Sequence, residues 1–175
     1  MSVRDLVTDR RVLICCGSGG VGKTTSAAAL ALLGARVGRR ACVVTIDPAR
    51  RLADALGLAG LTDQASEIDP ALWAVAGPDL VPGGSLSALM LDTKSTFDRL
   101  VTRNAPDPEQ ARRILDNRFY RNVSGALGGT QEYMAMEKLH ELHEEGGFDL
   151  IVVDTPPTRH ALDFLDAPER LLRLL

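Results

Sequence analysis

The chain has 175 residues, 45% apolar and 25% charged, with few aromatics and a net charge of −3 at neutral pH. That length and composition suit one domain with a real hydrophobic core, and no repeat or low-complexity tract interrupts it. The slight acidity gives no bulk-charge reason to expect a nucleic-acid partner.

The first residues, Met1-Ser2-Val3-Arg4-Asp5, have no secretory pattern. The longest apolar stretch, Ala27 to Ala35, is too short to span a bilayer, so the expectation is a cytoplasmic protein. Cys15, Cys16 and Cys42 do not make a disulfide framework and read as small buried hydrophobes in strands. Cys15 and Cys16 are adjacent, so they point to opposite faces of a strand, which is poor geometry for joint chelation.

Val12-Leu13-Ile14-Cys15-Cys16 is an apolar run of strand length. Gly17-Ser18-Gly19-Gly20-Val21-Gly22-Lys23-Thr24 follows it, and an alanine-rich run, Ser26 to Leu33, reads as a helix starting near Lys23. Strand, glycine-rich loop and helix in that order match G-x-x-x-x-G-K-[ST], the phosphate-binding P-loop. Glycines let successive backbone N–H groups converge on an anion without side-chain clash. The helix adds the positive end of its dipole. Lys23 reaches the β- and γ-phosphates, and the Thr24 hydroxyl can ligate Mg²⁺.

Ala41 to Ile46 is the second predicted strand, ending at Asp47-Pro48, with a short helix after it through Leu52, Ala55 and Leu56. Gly57 to Ser85 reads mainly as loop, because Asp69-Pro70, Gly77-Pro78 and Pro82-Gly83-Gly84 are turn signals. Within it, Trp73-Ala74-Val75 is the one extended candidate. Leu86 to Leu91 is a third strand, and Asp92 or Thr93 caps a helix carrying Phe97, Leu100 and Val101. Ala105-Pro106-Asp107-Pro108 breaks that helix, and Glu109 to Phe119 is helical again. Gly128-Gly129-Thr130 opens a longer helix, Gln131 to Glu145, with Met136, Leu139 and Leu142 on one face. Gly146-Gly147 ends it. Phe148 to Val153 is the last strand, with Asp154 at its carboxyl end, and Leu162 to Leu175 is helical.

Strands alternating with helices, with polar residues at strand ends, predict a doubly wound α/β sheet of the P-loop NTPase class, mainly parallel and flanked by helices. Ligands in such sheets bind beyond the carboxyl ends of the strands. The P-loop, Asp47 and Asp154 all belong there. A nucleoside triphosphatase needs a carboxylate at a neighbouring strand end to hold Mg²⁺, and Asp154 fits. It also needs a group that positions the attacking water, and Asp47 is the best candidate. Each carboxylate alone also reads as a helix cap or loop residue. His140 and His143, three apart on a helix rich in glutamate, read as a solvated face.

Four segments together resemble the ArsA-type ATPases, of the deviant Walker A class that includes MinD and ParA. Ser18-Gly19-Gly20-Val21-Gly22-Lys23-Thr24-Thr25 is similar to that family's K-G-G-V-G-K-T-T. Asp47-Pro48-Ala49-Arg50-Arg51-Leu52-Ala53-Asp54 resembles its first switch, and Asp154-Thr155-Pro156-Pro157-Thr158-Arg159-His160 its second. Gln131-Glu132-Tyr133-Met134-Ala135-Met136 is similar to a segment of actinobacterial members.

The resemblance implies an ATP- and Mg²⁺-dependent dimer, homodimeric or paired with a paralogue, that couples hydrolysis to a client-protein or membrane-associated process. It implies nucleotide binding by Gly17, Ser18, Gly19, Gly20, Val21, Gly22, Lys23, Thr24 and Thr25, with an amide cradle from Gly19, Gly20 and Gly22, phosphate contact by Lys23, Mg²⁺ contact by Thr24 and Asp154, and water positioning by Asp47. Thr25 takes the α-phosphate side.

Two departures from the family's pattern stand out. Ser18 replaces a lysine that in the family reaches across the dimer to the partner's phosphates. Activity is then weak, or a paralogue supplies the charge, or another basic residue such as Arg159 does. The alternative to an ATPase is thus a non-catalytic partner subunit of a lysine-bearing paralogue. A GTPase is a third reading, without an N-K-x-D in this chain. The second departure is length, which makes residues 1–175 the N-terminal part of one ATPase domain, with a mainly helical insertion around 93–145. Arsenite chemistry is not supported, because it needs converging thiols.

Overall fold

The computed structural model describes residues 2–47, 51–74, 80–118, 120 and 130–157. The second-switch residues Thr158, Arg159 and His160 and the helix expected over Leu162 to Leu175 lie outside them, as does Val75. Elements run in the order α1 (Val3–Asp9), β1 (Val12–Cys15), α2 (Lys23–Arg36), β2 (Arg40–Thr45), α3 (Arg51–Ala55) and β3 (Ser66–Glu67). They continue with α4 (Pro70–Trp73), β4 (Ser85–Met90), α5 (Thr93–Asn104), α6 (Pro108–Asp116), α7 (Thr130–Glu144) and β5 (Leu150–Asp154).

The five strands form one sheet in the order β1-β5-β2-β4-β3, parallel except for the β3–β4 pair. The last described strand thus enters between the first two. Side chains alternate along β2, and the two sets belong to two cores. Ala41 and Val43 join Leu150, Val152, Leu86 and Ala88 under Ala27, Ala31 and Ala35 of α2. Cys42 and Val44 join Ile151, Val153 and Leu89 under Met134, Ala135, Leu139 and Leu142 of α7. Phe97 and Leu100 of α5 pack on that second core. Helices therefore cover both faces, and the strands read as apolar runs because both of their faces are buried.

Small residues set the spacing of α2 on the sheet. A Cβ on Gly34 would lie 2.5 Å from Leu150 Cδ2, and one on Gly84, at the entry to β4, 1.9 Å from the Ala35 carbonyl oxygen. Arg39 ties α1 to the sheet by donating to the carbonyls of Val7 (2.6 Å), Arg10 (2.5 Å) and Asp149. Arg40 pairs with Asp149 at 2.8 Å and holds its carboxyl down at about 2.

One expected element is corrected. Trp73 is not extended but ends the short helix α4. The Asp69-Pro70 pair reads as a turn in sequence because both residues suit one. Here they serve as N-cap and first helical residue, where proline's missing N–H costs nothing. The Asp69 carboxylate accepts from Ala71 N at 2.9 Å, and the buried indole of Trp73 donates to the Ile68 carbonyl at 3.1 Å. The edge strand β3 and the helix α1 were not anticipated. Both are too short for a hydrophobic period to register.

No helix among the described residues is long and apolar enough to cross a membrane. Burial raises the Cys15 thiol to about 11 and the Cys42 thiol to about 12, so neither is a ready thiolate. His140 and His143 are exposed on α7.

Candidate phosphate-binding site

The site assembles where three parallel strands end level. Asp154 is in register with Cys15 of β1 on one side and Thr45 of β2 on the other. Thr155 fastens that edge, its hydroxyl donating to the Cys15 carbonyl at 2.8 Å. The chain leaves β1 through Gly17 (φ 150°), Gly20 (φ 80°) and Gly22 (φ 89°). At Gly20 and Gly22 any side chain would be strained, so glycine here is a backbone requirement. Gly22 is the N-cap of α2, whose first residues are Lys23, Thr24 and Thr25. The first amides of a helix have no partner within it and are free to bind an anion.

Behind that loop lies a polar pair. Thr24 Oγ1 donates to Asp154 Oδ2 at 2.8 Å, and Thr45 Oγ1 donates to the same oxygen at 3.1 Å. The other carboxylate oxygen, Asp154 Oδ1, is buried and has no hydrogen-bond partner among the described residues. Burial pushes the Asp154 carboxyl up; the Thr24 and Thr45 hydroxyls and the Lys23 charge oppose that, and Asp47 adds to it. An orphaned buried carboxylate oxygen beside a threonine hydroxyl is a donor set suited to a hard divalent cation. The residues present therefore fit Mg²⁺.

Lys23 Nζ donates to the Ser18 carbonyl at 2.9 Å, across the loop it belongs to. Asp47 follows β2, its backbone N–H donating to Thr45 Oγ1 at 3.2 Å. Its carboxylate pairs with Arg51 Nη1 at 2.9 Å. Gln131, at the start of α7, donates to the Ile46 carbonyl at 2.7 Å, so α7 grips the strand end just before Asp47.

A cavity of about 490 Å³ opens above these groups, lined by Gly19, Gly20, Gly22, Lys23, Thr24, Thr25, Arg51 and Pro157. Six of the expected loop residues line it. Gly17, Ser18 and Val21 shape the loop without lining the cavity, and Val21 is 61% exposed. Asp154 sits beneath Thr24, and Asp47 meets the cavity through Arg51. Sequence reasoning gave no individual site role to Thr45, Arg51, Gln131 or Pro157, although the last three lie in the segments that resemble the family. Thr45 carried no signal. Arg51 had one, since it is a cation four residues after Asp47.

A family model described as anion-transporting ATPase matches residues 10–175. Among curated proteins, the chain is 29% identical to ATPase GET3 of Malassezia globosa, over 93% of this chain and 44% of that one. It is 33% identical to protein Rv2184c of Mycobacterium tuberculosis, over 90% of this chain and 37% of that one. It is 35% identical to protein SCO2128 of Streptomyces coelicolor, over 94% of this chain and 39% of that one. The chain thus spans less than half the length of these relatives. With the phosphate loop, the paired Thr24 and Asp154 and a family match over nearly its whole length, this chain belongs to the ArsA-type, anion-transporting ATPase family.

Proposed function

We propose that this chain carries the phosphate and Mg²⁺ site of an ATP-hydrolysing switch that works as a dimer and drives a client-protein or membrane-associated process. The observation that carries the reading is the Thr24–Asp154 pair at 2.8 Å, with one carboxylate oxygen buried and unpaired beneath a glycine loop. On this reading the amides of Gly19 through Thr25 cradle the phosphates. Lys23 exchanges the Ser18 carbonyl for β- and γ-phosphate oxygens, a stronger charge-assisted bond. Thr24 and, through water, Asp154 hold Mg²⁺, which supplies charge neutralisation on those phosphates when bound. Asp47 orients the attacking water from the end of β2.

The experiment is steady-state turnover and nucleotide binding in the full chain. Lys23→Ala is expected to lower hydrolysis by orders of magnitude, since it removes the loop's only side-chain charge. Asp47→Asn is expected to spare ATP binding and slow turnover. Wild-type rates in Lys23→Ala would sink the P-loop reading, and wild-type rates in Asp47→Asn would reduce Asp47 to a structural role.

A second reading, a nucleotide-binding subunit that depends on a lysine-bearing paralogue, is favoured by one observation. Ser18 is exposed at the loop position where the family's pattern carries lysine. Ser18→Lys separates the two. A faster homodimer supports self-sufficient turnover. Acceleration confined to a paralogue's site supports the partner-subunit reading.

A further inference from the structure

We infer that Arg51 is a second phosphate-binding cation of this site, exchanging the Asp47 carboxylate for the terminal phosphate of a bound nucleoside triphosphate. The inference rests on the phosphate-site reading above and adds to it the residue that senses the third phosphate.

Among the described residues, the lining of the cavity carries two cationic side chains, Lys23 and Arg51, and no carboxylate. The glycine loop itself, Gly17 to Thr25, contributes only Lys23. A triphosphate brings more negative charge than one ammonium can balance. Arg51 approaches from α3, outside the loop, so it meets the cavity from a different side than the amides do.

Its present partner is a weak competitor. The Arg51 side chain is 62% exposed, while Asp47 is 15% exposed. The guanidinium end of the pair is open to water and to screening by salt, which leaves it exchangeable. A guanidinium has five N–H donors in a planar fork, of which Asp47 engages one among the described residues. A terminal phosphate offers several oxygens to that fork and more charge than a carboxylate, so it takes two parallel bonds where Asp47 takes one. The exchange also couples two events at the same place. Phosphate draws Arg51 inward, and the carboxylate assigned to the attacking water loses a cation that competes with water for its oxygen.

The test compares the affinities of the full chain for ADP and for a non-hydrolysable ATP analogue, both with Mg²⁺, and measures ATP turnover. Arg51→Gln keeps the length and removes the charge. It is expected to weaken the triphosphate analogue about tenfold, change ADP binding less than twofold and lower turnover at least tenfold. Arg51→Lys is expected to recover part of the triphosphate affinity and less of the turnover, because an ammonium cannot form the paired bonds. Lys23→Ala, run in parallel, is expected to weaken both nucleotides. An unchanged triphosphate-to-diphosphate ratio in Arg51→Gln, with both nucleotides lost in Lys23→Ala, overturns the role of Arg51 and leaves the phosphate site standing. Wild-type affinities in Lys23→Ala overturn the phosphate site and the inference with it.

Discussion

At the scale of single residues, Asp154 carries the sharpest conflict between stability and function. It is fully buried at the ends of three strands, and one oxygen has no partner. Its carboxyl is raised mainly by burial. A carboxyl whose folded pKa lies above its unfolded value weakens the fold progressively as pH rises past the unfolded value towards the folded one. Asp154→Asn removes the charge and keeps the shape. In the absence of nucleotide and metal it is expected to raise stability at pH 7 by roughly 0.5–2 kcal/mol, the usual scale of a relieved functional site. The advantage is expected to vanish below about pH 4, where both side chains are neutral. Stabilisation by Mg²⁺-nucleotide should be lost in the same variant. Urea unfolding at the two pH values checks this. A less stable variant at pH 7 would mean that the carboxylate is supported in place.

At the scale of elements, two glycines separate a contact that can yield from one that cannot. Gly34 lies inside α2, where alanine is favoured by about 1 kcal/mol. Its added methyl would meet Leu150 Cδ2, the far end of a buried side chain that has to shift. The gain and the overpacking are of similar size, so Gly34→Ala is expected to cost about 1 kcal/mol or less. Gly84 faces backbone instead, with the Ala35 carbonyl oxygen 1.9 Å from the added Cβ. No rotamer relieves that, and α2 and β4 must part. Gly84→Ala is expected to cost about 3 kcal/mol or more, at the destabilising end of overpacking. Denaturant midpoints compare the two directly, and equal costs would show that β4 moves freely against α2.

At the scale of the whole molecule, the cavity is built for phosphate more than for a base. Its lining among the described residues is glycine, threonine, lysine, arginine and one proline, with no aromatic face and no amide side chain. Strand β1 pairs with β5 and, among the described residues, with no other strand. Val12 on it is 40% exposed, and Leu13 and Ile14 are half-buried. Residues 1–175 alone are therefore expected to bind ATP and GTP with affinities within a few-fold of each other. They are also expected to self-associate through the β1 edge, where Val12 is exposed. Calorimetric titration with both nucleotides and sedimentation of the same sample test the two statements. Tight adenine-selective binding by a monodisperse sample would refute both.

The phosphate loop was legible in sequence because its function is local. Eight consecutive residues dictate their own backbone path, and the strand before and helix after it are adjacent in the chain. Strands β2, β4 and β5 were legible for a related reason: burial on both faces turns them into unbroken apolar runs, and their polar ends mark where ligands bind. The edge elements were not legible, since two- and four-residue pieces such as β3 and α4 are too short to show a period. Tertiary structure decided which strand ends meet. β5 enters between β1 and β2 because helices carry the chain across the faces, and no local pattern records that order. That crossover brings Thr45 to Asp154, 109 residues away, and Gln131 to the Ile46 carbonyl, 85 residues away. In sequence Thr45 is one more letter of a buried strand, and Arg51 one more charge on a short helix. Each gains its chemistry from neighbours that only the folded sheet supplies.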